Sequence, residues 1–483
     1  MRQLTGLDAA FLAMETRTVY GHVGSVCVLD PANSPEPFSY ERFLRLIESR
    51  LPLVPPFRRR LVEVPLGLDQ PYWIEDGDFD IEFHVRELAL PAPGDDRQLA
   101  EQAARLHARP LDRSRPLWEI YLIWGLQGGR VAIYTKVHHA AIDGISGNDV
   151  LAAMLDLSPH GRPPAEPQPE GAERAVPVER LPNALELLAR SAVSLAEHPM
   201  RAVRLGAGLL RSVPSLATNP MRPRLPLVDR LLRPDGAAAV LSQPGFRAPP
   251  LPFNRPITQH RRWAFRTLPL SEVKQIKNAT GCTVNDVVMA LCTGALRRWL
   301  IDHDALPPGP LVAAVPVSVR TEEQQGTHGN QVSTMLAVLP THLADPGQRL
   351  GVVHGAMRAA KEQHRALPAT LLADVTQFAM PALAGQAARL SARLRLVERV
   401  NLFNLIISNV PGPNVPLYYA GATLLAYYPL SAISDGQGLN ITVMSYRDQM
   451  FFGLIACREL VPDVDRLAGY VQDELAVLGA ITP

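Results

Sequence analysis

Two adjacent histidines, His138 and His139, are followed by Asp143 and Gly144 in the pattern H-H-x-x-x-D-G. A neutral imidazole, with an unperturbed pKa of about 6.5, can take a proton from a hydroxyl or a thiol near neutral pH. Asp143 has two open duties, to orient an imidazole or to anchor the loop, and a buried carboxylate needs a cation or several donors for either. Gly144 allows a backbone angle or a close approach that a side chain would forbid. The chain has no G-x-S-x-G elbow and no cysteine in an activating setting, so covalent catalysis is not indicated.

The motif has to be positioned by the run before it. Val131 to Val137 is apolar and β-rich, which predicts a strand delivering the histidines into a turn. If that strand persisted through the motif, His138 and His139 would point to opposite faces, and one of them would reach the site. Further strands are expected at Val23–Leu29 and Trp118–Trp124, and helices at Phe38–Leu51, Gln98–His107 and Gly147–Leu157. Later in the chain, Leu268–Val273 reads as a strand end running into a helix N-cap, and Thr283–Leu300 as a strongly apolar helix. Strands are expected at Leu311–Val319, Gln331–Leu339, Asn404–Ser408, Leu439–Ser445 and Met450–Ala456, with a closing helix over Val464–Leu478.

Composition sets outer bounds. A chain of 483 residues, 47% hydrophobic and 20% charged, fits two or three globular domains with a real core. A net charge of +1 argues against nucleic-acid binding by bulk charge. Cys27, Cys282, Cys292 and Cys457 are scattered without a C-x-x-C pair, which disfavours a zinc site or disulfide framework and fits a reducing cytoplasm. The N-terminus lacks a signal-peptide core, and no uncharged apolar run reaches the roughly 20 residues of a spanning helix.

Four segments follow: a mixed α/β segment over 1–157, a Pro/Glu-rich linker over 158–180, a basic helical connection over 181–256 and a second α/β segment over 257–483. From Leu181 to Arg233 of the connection, eight arginines (Arg190, Arg201, Arg204, Arg211, Arg222, Arg224, Arg230 and Arg233) face Glu186, Glu197 and Asp229. Such a segment can lie on an anionic bilayer, or it can bridge the domains with its arginines solvated. Two α/β segments joined this way predict two lobes with a site between them.

At this point the motifs resemble a family. H-H-x-x-x-D-G is shared by coenzyme-A-dependent acyltransferases of the chloramphenicol acetyltransferase type, condensation domains included. The set formed by Leu4–Leu12, Arg115–Trp118, Thr283–Val288, Val315–Arg320, Ser408–Pro413, Asp435–Thr442 and Gly453–Arg458 resembles, in order and nearly end to end, the bacterial wax ester synthase/diacylglycerol acyltransferase family. The resemblance implies two chloramphenicol-acetyltransferase-like lobes, each a mixed sheet with helices. It also implies transfer of a long-chain acyl group from acyl-CoA to diacylglycerol or a long-chain alcohol, giving triacylglycerol or a wax ester. No cofactor or metal is implied, since acyl-CoA is a substrate, and the place of action is cytoplasmic, with peripheral contact to a membrane or lipid droplet.

The resemblance assigns the general base to His139, with His138 shaping the loop, and pairs Asp143 with an arginine, for which Arg320 is the candidate. Such a base takes the hydroxyl proton as the C–O bond forms. The oxyanion that develops needs preorganised donors. Asn285 qualifies because its amide donates and it opens a helix, whose N-terminus adds favourable potential. Asp286 could cap that helix, and Asn285 could be a capping residue alone. Ser333 and Thr334 are weaker oxyanion candidates. Trp118 either packs or lines an acyl tunnel, and Asn409 either lines the cleft or holds a turn. Two other readings stay open: a condensation-type or polyketide-associated acyltransferase with a carrier-bound donor, and a non-catalytic lipid-surface protein of the same fold.

Overall fold

The computed structural model describes residues 1–65, 69–142, 152–161, 183, 186–187, 248–318, 332–366 and 402–481. In the first lobe the elements are β1 (Arg2–Gln3), α1 (Gly6–Ala13), β2 (His22–Asp30), α2 (Tyr40–Arg50), β3 (Arg59–Val62), β4 (Tyr72–Glu75), α3 (Ile81–His84), β5 (Val85–Ala89), α4 (Asp96–His107), β6 (Trp118–Trp124) and β7 (Val131–His138). The second lobe contributes β8 (Arg261–Pro269), α5 (Leu270–Thr280), α6 (Val284–Asp302), β9 (Leu311–Ser318), β10 (Val332–Leu339), α7 (Pro346–Ala366) and β11 (Leu405–Val410). The chain continues through β12 (Tyr418–Tyr419), β13 (Ala422–Leu430), β14 (Leu439–Tyr446), β15 (Gln449–Cys457) and α8 (Val464–Ile481).

Two six-stranded sheets carry the fold, in the orders β12-β13-β2-β7-β6-β5 and β10-β9-β11-β14-β15-β8. Both are mixed: β5 runs parallel to β6 in the first, and β11 runs parallel to β9 and β14 in the second. β7 lies between β2 and β6, antiparallel to each, with Val131 to Tyr134 and Lys136 to His138 all buried. That placement explains its nearly unbroken apolar run, because a strand covered on both faces has little room for polar alternation.

Local chemistry sets the helix starts. Ser39 caps α2, whose Phe43 and Ile47, one turn apart, face the core. Asp95 and Gln98 form a capping box at α4. Thr283 and Asp286 do the same for α6, which is buried from Asp286 through Leu296. At the β8–α5 junction the N-cap is Pro269, which offers no side-chain bond. Among the described residues no single helix is long and apolar enough to cross a membrane. α5 and α6 reach that length together, but they bend by 104° and α6 is a core helix.

The lobes are not contiguous in sequence. β12 and β13 leave the second lobe and complete the first sheet, with β13 antiparallel to β2 from Thr423↔Asp30 to Leu430↔Gly24. This covers a β2 edge whose free amides would otherwise be unpaired. Gly453 of β15 sits against the crossing strand, and a Cβ there would lie 1.9 Å from the Pro429 carbonyl oxygen. Tyr428 packs on Trp263, Phe265 and Phe451, and its hydroxyl lies 2.8 Å from Thr267 Oγ1. Buried Arg261 also ties the lobes by donating to the Thr18 carbonyl.

β7 ends at His138, and residues His139–Ile142 form a single 3-10 turn. Strand alternation therefore does not fix where His139 points; the turn does. Of the expected helix over Gly147–Leu157, residues 152–154 are helical and 147–151 lie outside the described residues. Most of the Pro/Glu-rich linker and most of the basic connection also fall outside them.

Candidate active site

His138 is held on every side. The residue is 1% exposed, its Nδ1 accepts the Ala140 N–H at 3.1 Å, and its Nε2 lies 3.1 Å from Glu15 Oε1. A nitrogen that accepts from a backbone N–H carries no proton, so the proton is on Nε2 and is donated to the carboxylate. Glu15 Oε1 also accepts the Gly21 N–H at 2.7 Å, and Glu15 Oε2 accepts from Arg113 Nη2 at 2.8 Å. Burial works against the charge on Glu15, but His138, the Gly21 amide and Arg113 outweigh it and bring its pKa down to about 2. Gly21 must be glycine, since a Cβ would stand 2.6 Å from His138 Nε2.

His139 has different surroundings. Its backbone N–H donates to the Gly21 carbonyl at 2.9 Å, and its half-buried ring stacks on Phe11 with centroids 4.2 Å apart. Burial lowers its pKa to about 4, and the neighbouring His138 acts in the same direction. His139 is therefore a neutral imidazole at physiological pH, the form in which it can accept a proton. Phe11 belongs to α1, which packs on the 139–142 turn.

Behind this edge lies a buried polar layer. His22 Nε2–H donates to the His107 carbonyl at 2.8 Å, while His107 uses Nδ1 on the Tyr134 hydroxyl and Nε2 on the Ser431 carbonyl. Lys136, with no exposed surface, pairs with Glu119 at 2.9 Å and donates to the Leu106 and Arg109 carbonyls. Burial and the Lys136 charge hold His107 at about 3. Burial and the charges of its neighbours hold His22 well below the ordinary imidazole range.

The second lobe brings another pair of expected residues together. Asn285, in the first turn of α6, accepts at Oδ1 from Asn409 Nδ2 of β11 at 3.2 Å. That bond orients the Asn285 amide and leaves its N–H2 as donors. Asp286 acts as a cap: its Oδ2 accepts the Thr283 N–H at 2.9 Å and lies 2.8 Å from His354 Nδ1. Donor atoms of Cys282, Asp286 and His354 lie within 4.8 Å of one another, the one such trio among the described residues.

Trp118 is fully buried. It is sandwiched between Phe57 and His84, with its indole N–H donating to the Phe57 carbonyl at 2.8 Å. Ser333 pairs with Val317 on the strand ladder, and Thr334 is exposed on β10, an edge strand. Asp143, Gly144 and Arg320 lie outside the described residues. Sequence reasoning missed Glu15, Gly21 and Arg113. Glu15 and Arg113 are separated by 98 positions, and no local pattern marks them as partners. Phe11 did sit inside the Leu4–Leu12 motif, as one apolar residue among several.

With the geometry in place, comparison with known proteins is specific. The wax ester synthase/diacylglycerol acyltransferase catalytic domain matches residues 4–288, and the corresponding C-terminal domain matches residues 328–479. Two proteins of Mycobacterium tuberculosis, each provisionally named a diacylglycerol O-acyltransferase, are 37% identical over 96% and 98% of this chain and 87% and 99% of their own lengths. The solved wax ester synthase/diacylglycerol acyltransferase of Marinobacter aquaeolei VT8 superposes with a TM-score of 0.65 at 32% identity, covering 99% of both chains. The first condensation domain of the calcium-dependent antibiotic synthetase, at 17% identity and a TM-score of 0.53, shares the fold.

Proposed function

The chain belongs to the wax ester synthase/diacylglycerol acyltransferase family and is an acyltransferase; on that premise we propose that it moves a long-chain acyl group from acyl-CoA to diacylglycerol or a long-chain alcohol. The products are triacylglycerol, a wax ester, or both. The observation that carries this reading is the neutral, half-buried His139 at the end of β7, stacked on Phe11 and held by Gly21.

His139 takes the acceptor hydroxyl proton as its oxygen bonds to the thioester carbonyl carbon. The carbonyl oxygen becomes an oxyanion, stabilised in this reading by the Asn285 amide. The intermediate collapses, the C–S bond breaks, and the CoA thiolate leaves with the proton from His139. With an imidazolium pKa of about 4, return of that proton to a thiolate, whose conjugate acid ionises near 8.5, is strongly downhill. A covalent acyl-enzyme is not needed, and burial pushes the Cys27 and Cys292 thiols up to about 12, which makes them poor nucleophiles.

The test is turnover of labelled palmitoyl-CoA with diacylglycerol and hexadecanol in competition, using wild type and His139→Ala. Triacylglycerol or hexadecyl palmitate from wild type, and neither from the variant, is the expected result. Undiminished turnover by His139→Ala would refute the base assignment, and the product ratio reports the preferred acceptor. The basic segment over 181–256 lies largely outside the described residues, and its contact with an anionic lipid surface is proposed on charge alone. Flotation with anionic liposomes tests it: equal recovery after neutralising Arg201, Arg204 and Arg211 would count against it.

A further inference from the structure

We propose that Glu15 is a positioning residue for the reaction: it selects the tautomer of His138, and His138 in turn fixes the turn that presents His139. The inference rests on His139 being the base, and it concerns a carboxylate that lies outside the H-H-x-x-x-D-G motif.

A neutral imidazole has one N–H and one lone pair. At His138 the lone pair must be on Nδ1 to receive the Ala140 N–H, which places the proton on Nε2, facing Glu15 Oε1. The other tautomer would oppose N–H to N–H at Ala140 and lone pair to carboxylate at Glu15, losing both bonds. A doubly protonated ring would lose the Ala140 bond. The ring has no room to turn away, since the residue is 1% exposed and Gly21 lies directly against Nε2.

The same carboxylate controls both ends of His139. Through Oε1 it holds the Gly21 N–H, and the Gly21 carbonyl receives the His139 N–H. Through Oε2 it holds Arg113, whose Nη2 also donates to the Leu12 carbonyl at 2.6 Å, one residue from the Phe11 ring under His139. Four hydrogen bonds and the His139–Ala140 peptide bond thus join Glu15, Gly21, His138, His139 and Ala140 in a closed ring.

The test uses the full-length enzyme. Glu15→Gln keeps the shape of the side chain but removes its charge and gives it a donor. The kcat should fall about 100-fold, the cost of a small misplacement of the base, with KM for palmitoyl-CoA within about twofold and the circular dichroism spectrum native at the assay temperature, although the melting temperature falls with the lost charge. Selective 15N labelling of histidine, with His138 assigned by loss of its signal in His138→Asn, should show a single Nε2–H tautomer in wild type and a mixture in Glu15→Gln.

His138→Asn keeps an acceptor near the Nδ1 position but cannot reach Glu15. In that background the further change Glu15→Gln should cost well under the loss it causes in wild type, because its route through His138 is already cut and those through Gly21 and Arg113 alone remain. His138→Gln, which reaches Glu15 but offers Ala140 no acceptor, should be slower than His138→Asn. Multiplicative losses in the double variant, an unchanged tautomer in Glu15→Gln, or equal rates for His138→Asn and His138→Gln would each overturn the proposal. Should Glu15→Gln lose the native circular dichroism spectrum, the two His138 variants decide it alone.

Discussion

In the first lobe, His139 stands over a charged cluster in which Glu15 is clamped by Arg113 and bonded to His138. In the second lobe, Asn285 begins a helix and is oriented by the neutral amide of Asn409. On the proposed roles of base and oxyanion donor, the difference follows from what each has to do. A base must stay neutral and aimed, and the charges that aim His139 reach it through His138, so that burial keeps its proton affinity low. A donor to an oxyanion needs a fixed dipole, and a side chain in the first turn of a buried helix has one without any charge.

Substitutions can break that contrast. The largest effect is expected for His139→Ala, which should lower kcat about 10³-fold, within the usual worth of a positioned base; steady-state turnover of palmitoyl-CoA measures it. Acidification comes next. The buried His22 and His107 and the half-buried His139 resist protonation in the folded chain, whereas in the unfolded chain each would protonate near 6.5. Between about pH 6.5 and 4 the unfolded state therefore binds more protons, and stability falls as the pH falls, each of the three histidines adding its share. Glu15, held at about 2, adds its own loss below the ordinary carboxylate value of 4.5. Urea midpoints from pH 7 to pH 4 should decline steadily, and a flat series would mean that the first-lobe histidines are not buried neutral.

Asn285→Ala should cost about 10²-fold in kcat, as for loss of one oxyanion donor, with its pH profile unchanged. A displaced acid limb would make Asn285 part of the first-lobe electrostatics and erase the contrast. The smallest effect is expected for Asn409→Ala, which removes one neutral hydrogen bond worth about 1 kcal/mol and should slow turnover about fivefold. A loss as large as that of Asn285→Ala would show that Asn409 itself touches the reacting atoms.

Much of this was legible in the chain. The apolar run before His138 predicted β7, and the apolar run from Thr283, with Asp286 as its possible cap, marked the start of α6, because strand periodicity and capping are local. The histidine motif offered two candidate bases for the same reason, since its residues are neighbours in sequence, and the family resemblance assigned the role to His139. The tertiary structure decided the rest. It ended β7 at His138 and handed His139 to a turn, and it carried β13 back into the first sheet. It also set Glu15 beside a histidine 123 positions away and Arg113 beside Glu15. Such pairings depend on which buried charges and amides face one another after the chain has closed, and no sequence period encodes that.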